Sequence, residues 1–503
     1  MRNVNIILDI LNQRSKNNLL IKDIFPYLYN QNFYIEAYQR LCKLYKITDM
    51  QITSNIQKRI NNIINDMRYE RYKWNKIILN KDNNALSINF KKLSLNDWND
   101  LVLEEVLYLI LNSIYEPKFL DCSCGYRINK NYTSALKRIH DKSQACEWFI
   151  QGNIQSLYDS ISYDKFQSIL SVHIKDNRFI ELFRRFFKAN KFGYDFDRQD
   201  SYMDIPQHGI LSPILTNIYL NELDQFIERK ISPNFNIDDK RPFNPKYKKL
   251  RCKIDYALRR LKLNPNDIAI LKEIKELRKQ TRYMKCKLPI EQCSYRRLSY
   301  TRYATSWIIS FTGTYQEALT ILNNISTFLK ENLNLDSSGK VYKSDSEKQP
   351  VEFLGYNIIT QWDNNRLKDK KKTLSGQIAF LIPFRVINNR SLQYMQNNKP
   401  IHISYLINKP VEYTISYFQS KLKQIIKYYQ FARNQSRLTK LKWIMEISLV
   451  KTIAAKLRTT AKKIYKKFGS IINDYKVIMY NGVYFGAIPM KVQKIKHKDD
   501  DID

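Results

Sequence analysis

Residues 300–311 read YTRYATSWIISF. Two runs of β-formers flank Ala304-Thr305-Ser306, a three-residue break with no Gly, no Asn and no charge. The pattern predicts a tight antiparallel hairpin in the middle of the chain, and with it a mixed fold in which sheet interrupts helix. Two small hydroxyl side chains at the tip of that hairpin are the feature any functional reading must explain.

Working outward, helices are expected at 101–114 (LVLEEVLYLILNSI), 163–189, 212–230 and 315–332, and residues 20–75 read as mainly helical. The run CEWFIQGNIQSLYDSI reads as strand, and 76–95 as short strands around an Asn-rich turn. Residues 231–298 are polar and basic, with one helix expected at 266–280. After FLGYNI, the charged run DNNRLKDKKKT reads as a boundary. From 411 to 469 the pattern is helical throughout.

The chain has 503 residues, and 84 Lys and Arg oppose 48 Asp and Glu for a formal net charge of +36. Self-repulsion on that scale calls for a polyanionic partner. No run reaches the roughly 18 apolar residues of a spanning helix, and the cations are spread along the whole chain. Nucleic acid is therefore favoured over an acidic membrane. Seven Cys, with Cys122 and Cys124 too close for the usual zinc spacing, read as reduced thiols. The N-terminus reads as neither a signal nor a transit peptide. Abundant Asn, Lys, Ile and Tyr fit AT-rich codons and an organelle genome.

Between Lys409 and Gly469 fifteen Lys and Arg face only two acids, Glu412 and Glu446. Apolar residues keep helical period at Val411, Ile415, Phe418, Leu422, Ile425 and Tyr429, and again at Val450, Ile453, Ala454, Leu457, Ala461, Ile464 and Phe468. Each helix thus buries one face and offers cations on the other. Solvation explains one such face; several in succession favour phosphate binding. The candidate RNA contacts are Lys421, Lys423, Lys427, Arg433, Arg437, Lys440, Lys442, Lys451, Lys456, Arg458, Lys462, Lys463, Lys466 and Lys467.

Several stretches, taken together, resemble one family. PQHGILSPILTNIYLNELD (206–224), WFIQGNIQSLYDSISYDKF (148–166), RYATS within 296–318, IYEPKFLDCSCGYRINKNYTSALKRI (114–139), RPFNPKYKKLRCKIDYALRRLK (241–262) and VEFLGY (351–356) resemble, in order, the boxes of group II intron-encoded reverse transcriptases. IIKYYQFARNQSRL and SLVKTIAAKLRTTAKKIYKKFG (448–469) resemble the maturase domain of those proteins, called domain X. The resemblance covers roughly residues 20–470. It implies an α+β fold with right-hand polymerase-like fingers and palm followed by an all-helical thumb. The expected divisions are 1–95, an N-terminal RNA-binding fingers region; 96–365, the palm; 366–480, the thumb or domain X; and 481–503, a disordered tail. It implies intron RNA of group II or derived type as the partner; no membrane and no cofactor are expected. Tyr428, Tyr429 and Phe431 would stack on bases or on one another, or form thumb core.

The family carries three metal-binding aspartates, one on a strand and two at the hairpin tip. Here those positions are Asn153, Thr305 and Ser306. Two Mg²⁺ ions ~3.5–4 Å apart need carboxylates to offset their charge, and amide and hydroxyl oxygens are neutral. Asp159 and Asp164 match other family acids and read as structural; on an extended strand Asp159 would lie about 20 Å from Asn153. His208 replaces a family Gly, and ILNKDNNALSINF (78–90) lacks the family's basic signature for nucleotide triphosphate. Tyr158 and Lys340, at the steric-gate and downstream-lysine positions, read as packing and solvation. After Gly469 there is no Cys and only His497, so no Cys/His nuclease module is expected.

The resulting expectation is a splicing maturase with a reverse-transcriptase-like palm that has lost its chemistry, in a plastid ahead of a mitochondrion. The alternatives are an active RNA-directed DNA polymerase of a mobile intron and a non-specific basic RNA-binding relic.

Overall fold

The computed structural model describes residues 3–45, 54–75, 95–154, 157–189, 210–238, 240–264, 267–282, 284, 287–346, 348–363, 367–368, 371–372, 375–472 and 475–486. His208, residues 78–90 and residues 487–503 of the expected tail lie outside these residues, as do the side chains of Tyr158 and Asp159. No described helix is long and apolar enough to cross a membrane. The chain is a mixture of helix and strand, divided into two compact units: Met1–Arg138, Ile150–Asp239 and Ser294–Val341 form the first, and Ile139–Phe149, Lys240–Cys293 and Tyr342–Asp503 the second.

The first unit is organised by the helix Leu95–Tyr115, longer than its sequence signal at 101–114. Leu103, Val106, Leu107, Ile110, Leu111 and Ile114 are all buried, as befits a helix apolar on every side. Three acids go inside with it, and each has a partner: Asp100 accepts from Tyr72 Oη and from the Asn75 backbone N–H. Glu104 accepts a hydrogen bond from the Ile210 backbone N–H at 2.9 Å, and Glu105 pairs with Arg40 at 2.7 Å. Around this helix stand Val4–Lys16, Gln31–Tyr45 and Ser54–Arg68. Asn177–Lys188 buries Phe179, Phe183 and Phe186 and is capped by Asp176.

Beside it lies a four-stranded sheet in the order Arg297–Tyr303, Ser306–Thr312, Trp148–Ile154, Ser337–Lys343. The expected hairpin is present, but its turn has two residues, not three. Ser306 pairs with Tyr303, leaving Ala304 and Thr305 at the tip. Ala304 takes φ +54°, the left-handed conformation that a first turn residue in a two-residue loop often needs. The run after Cys146 also differs from expectation. Its strand stops at Ile154, and Leu157–Ser160 forms a helical turn, so Asp159 is not on an extended strand. Two helices serve this sheet. Tyr315–Leu333 opens with a capping box in which Thr314 and Glu317 bond reciprocally. Ser212–Phe226 meets it through Phe226 stacked on Phe328 at 4.0 Å and Tyr219 Oη donating to the Leu333 carbonyl at 2.7 Å.

In the second unit the basic stretch 240–293 holds two helices, Pro245–Leu263 and Ile268–Arg282, not one. They pack through a small core of Ala257, Ile270 and Ile274. The dense Lys and Arg of the first helix masked its thin apolar stripe. A three-stranded sheet follows in the order Ser375–Leu381, Tyr356–Asp363, Val351–Phe353. The charged run read as a boundary lies inside the hairpin joining Tyr356–Asp363 to Ser375–Leu381, which pair in unbroken register from Asp363↔Ser375 to Asn357↔Leu381. Helices Val411–Tyr428, Leu438–Lys456 and Ala461–Phe468 come next. A last antiparallel sheet, Gly469–Ile472, Tyr475–Tyr480 and Val483–Phe485, was not anticipated.

Candidate nucleic-acid interface and hairpin tip

The three positions singled out in the sequence do come together. Ser306 Oγ lies 3.2 Å from Asn153 Oδ1 and donates to it, and the Ile154 backbone N–H donates to the Thr305 carbonyl at 3.2 Å. Asn153 is exposed, and Thr305 and Ser306 are half-buried. The oxygens presented are therefore one amide and two hydroxyls, all neutral. A pair of Mg²⁺ ions does not fit this donor set. Among the described residues no group of three or more His, Cys, Asp or Glu could hold a metal ion.

Beneath the tip is a network that sequence reasoning missed. Arg302 and Asp224 are both fully buried, from the hairpin and from the helix Ser212–Phe226. Arg302 Nε and Nη2 grip the Asp224 carboxylate at 2.8 and 2.6 Å. Its remaining donors go to Asn217 Oδ1 at 3.1 Å, the Ala304 carbonyl at 3.0 Å and Ser123 Oγ at 2.8 Å. All five guanidinium N–H groups are thus used. Burial works against the charge, but Asp224 more than restores it, so the guanidinium is held protonated. Tyr300 Oη also donates to Asp224, at 2.9 Å, and burial together with that carboxylate keeps the phenol neutral. The Arg302 strand is sewn to the Cys-Ser-Cys-Gly stretch by Arg302 N–H to Cys122 O at 2.8 Å and Cys124 N–H to Arg302 O at 2.9 Å. Burial pushes both thiols up, keeping Cys122 and Cys124 as packed, neutral groups. Gly125 is required at this crossing, because a Cβ there would sit 2.4 Å from the Ala304 nitrogen. The only sequence signal for the network was that its members fall in three different family boxes.

The candidate RNA contacts lie on three helices and on the two segments that join them. Lys423, Lys427, Arg433, Arg437, Lys440, Lys451, Arg458, Lys462, Lys463, Lys466 and Lys467 are exposed, while Lys421, Lys442 and Lys456 are half-buried. The buried faces follow the expected period at Ile415, Phe418, Leu422, Ile453, Ile464 and Phe468. Leu457 is the exception at 42% exposure, because the helix ends at Lys456 and Leu457 is its C-cap.

Not every cation is available on the same terms. Lys442 donates to Gly486 O at 2.6 Å, Lys451 to Pro400 O at 2.7 Å, Lys456 to Ile407 O at 3.3 Å and Arg437 to Ile382 O at 2.8 Å. Arg433 bonds Gln361 and Gln377. Lys440 sits 5.2 Å over the ring of Phe384, and Trp443, three residues on, is 57% exposed. Tyr429 is core: its ring is 5.0 Å from Tyr356 and its hydroxyl donates to Gly355 O. Tyr428 donates to Leu354 O at 2.7 Å and lies 5.0 Å from Tyr429, and Phe431 is buried. These rings join the YYQFA box to the FLGY box.

Comparison with known proteins places this architecture. Residues 375–484 match the family model described as type II intron maturase. The group II intron-encoded protein LtrA of Lactococcus lactis subsp. cremoris is 29% identical over 490 residues, 92% of this chain and 80% of the relative. Maturase K of Chara connivens is 25% identical over 501 residues, 94% of this chain and 93% of that one. An uncharacterized mitochondrial protein of Marchantia polymorpha, ymf11, is 23% identical over 441 residues, 74% of this chain and 55% of that one. A telomerase from Candida albicans in complex with a fragment of telomeric RNA overlaps 67% of this chain and 49% of its own at a TM-score of 0.23 and 11% identity, too little to argue from. The chain is thus similar along most of its length to group II intron-encoded proteins and maturases, and its residues 375–484 match the type II intron maturase domain.

Proposed function

We propose that this protein is a splicing maturase that binds group II-type intron RNA and assists its folding, with a palm that no longer polymerises. In this reading residues 1–95 and the hairpin sheet correspond to fingers and palm, and the helices from Val411 to Phe468 to a thumb. The observation that carries it is the tip. Asn153, Thr305 and Ser306 meet in space and offer no carboxylate, while the cationic helix faces remain exposed. Phosphate contacts need only positive charge and the release of counterions. Nucleotide joining needs anionic ligands for two metals. The intron RNA would then perform the bond chemistry, and the protein would hold its fold. AT-rich composition and the mitochondrial relative favour an organelle.

Two assays test this. In primer extension with Mg²⁺ or Mn²⁺ we expect no templated product; robust synthesis would establish an active polymerase with an unusual site. In filter binding across a salt series we expect intron RNA to outcompete a length-matched random transcript. Equal affinities and equal salt slopes would reduce the protein to a non-specific polycation.

A further inference from the structure

We propose that the second unit contains a pocket for a single extruded base of the bound RNA, separate from the cationic helix faces; this rests on the RNA-binding reading above. A cavity of about 690 Å³ is lined by Trp148 and Trp362, both half-buried, and by side chains from both ends of the stretch 240–293. That volume is in the range of ligand pockets, roughly 300–1,000 Å³.

The cavity is built rather than incidental. Arg241 Nε donates to Leu288 O at 2.8 Å, Lys287 Nζ to Arg241 O at 2.7 Å and the Leu288 N–H to Pro242 O at 3.0 Å, so the two ends of the insertion are stapled together. On the other side Ser344 is buried and links three segments. Its N–H donates to Glu147 O, its hydroxyl to Cys146 O, and its carbonyl accepts from Thr360 N–H.

The charge of the lining identifies the ligand. In a chain of net charge +36, this cavity has three cations and three carboxylates. Glu147 pairs with Arg241 at 3.3 Å and Asp345 with Lys343 at 3.7 Å. A phosphate site would show excess positive charge; a balanced lining with two indoles suits an uncharged heteroaromatic ring. The third carboxylate, Glu291, is exposed at the rim and is an acceptor only, so it favours a ring that presents an N–H edge, as every RNA base does. The ribose-phosphate chain has an exit. Helix Pro245–Leu263 begins four residues after Arg241 and carries exposed Lys246, Lys248 and Lys249.

The test uses the full-length protein and two short RNA duplexes, one with a single extruded 2-aminopurine and one without the bulge. Wild type should prefer the bulged duplex and quench the probe's fluorescence on binding. Trp362→Ala should abolish the quench and lower affinity for the bulged duplex alone by about five- to 150-fold. Trp362→Phe should retain most of both, and Glu291→Gln should weaken binding of the bulged duplex alone without disturbing the fold. Equal binding of both duplexes with no quench, or a preference untouched by Trp362→Ala, overturns the pocket. That outcome leaves intron selectivity intact, whereas failure of the maturase reading would remove selectivity for intron RNA itself.

Discussion

Replacing Asp224 by Ala should loosen the hairpin tip by a predictable amount. The carboxylate is fully buried and accepts from Arg302 at 2.8 and 2.6 Å and from Tyr300 at 2.9 Å. Its removal leaves a buried guanidinium without a counter-charge and strands a phenol donor. Breaking a buried pair from one side costs about 3–5 kcal/mol. At about 1.36 kcal/mol per tenfold, that is two to nearly four orders of magnitude in the opening equilibrium. A chain with two compact units is not expected to unfold in one step. The readout is therefore native-state hydrogen exchange at the amides of residues 300–311, which reports local opening. Asp224→Asn, which keeps one acceptor oxygen but loses the charge and the second acceptor, should fall between wild type and Ala. The double variant Asp224→Leu/Arg302→Met should be less destabilised than the sum of the singles, since no orphan charge remains. Less than a tenfold change in exchange for Asp224→Ala would refute the idea that this network holds the tip.

Three further outcomes are expected. Neutralising Arg458, Lys462 and Lys463 should lower the log–log salt slope of RNA binding by about two to three, at roughly 0.7–0.9 per phosphate contact, while leaving thermal stability unchanged; adding Lys451 and Lys456, which hold Pro400 O and Ile407 O, should also lower the melting temperature. Burial pushes Glu105 up to about 7, against the opposing pull of Arg40. The folded state thus holds this proton more tightly than the unfolded state, so its contribution to stability should be lost as pH rises from about 4.5 to 7, and Glu105→Gln should flatten urea midpoints over that window. Restoring Asn153→Asp, Thr305→Asp and Ser306→Asp together should create Mn²⁺ binding visible by calorimetry and destabilise the tip in EDTA, without restoring full primer extension, because 78–90 also lacks the family's basic signature.

The sequence revealed what local periodicity can carry. The hairpin and helix Val411–Tyr428 were legible because their apolar residues recur at period 2 or 3.6, and the helix around Leu95–Tyr115 because its apolar run is long, whereas the periodic run at 450–468 is broken between Lys456 and Ala461 into parts of two helices. The tip trio was legible only through the family boxes, since no local pattern brings Asn153 to Ser306. Helix Pro245–Leu263 escaped because its buried positions, Tyr247, Ile254 and Ala257, are few among many cations. The final sheet escaped because IINDYKVIMYNGVYF reads equally as helix end and strand until Asn481 and Gly482, both at positive φ, fix the turn. The Asp224–Arg302 pair joins residues 78 apart, and no spacing rule reaches that far.

A tip without carboxylates is also easier to hold together. Asn153 and Ser306 approach to 3.2 Å and form a hydrogen bond. Two carboxylates at that separation could not both stay ionised without a cation between them, because like charges so close push one pKa strongly up. A metal-dependent palm therefore needs its ions to relieve its own repulsion, and its geometry follows their occupancy. Here the shape is set from below. Arg302 ties the hairpin to Asp224 and Ser123, Gly125 lets the Cys-Ser-Cys-Gly stretch touch Ala304, and Gly152 leaves room for the Trp307 indole, which a Cβ would meet at 2.2 Å. None of these contacts involves a metal ligand. The tip is therefore expected to keep its conformation whatever the Mg²⁺ concentration, and unequal hydrogen exchange at residues 300–311 with and without Mg²⁺ would refute this.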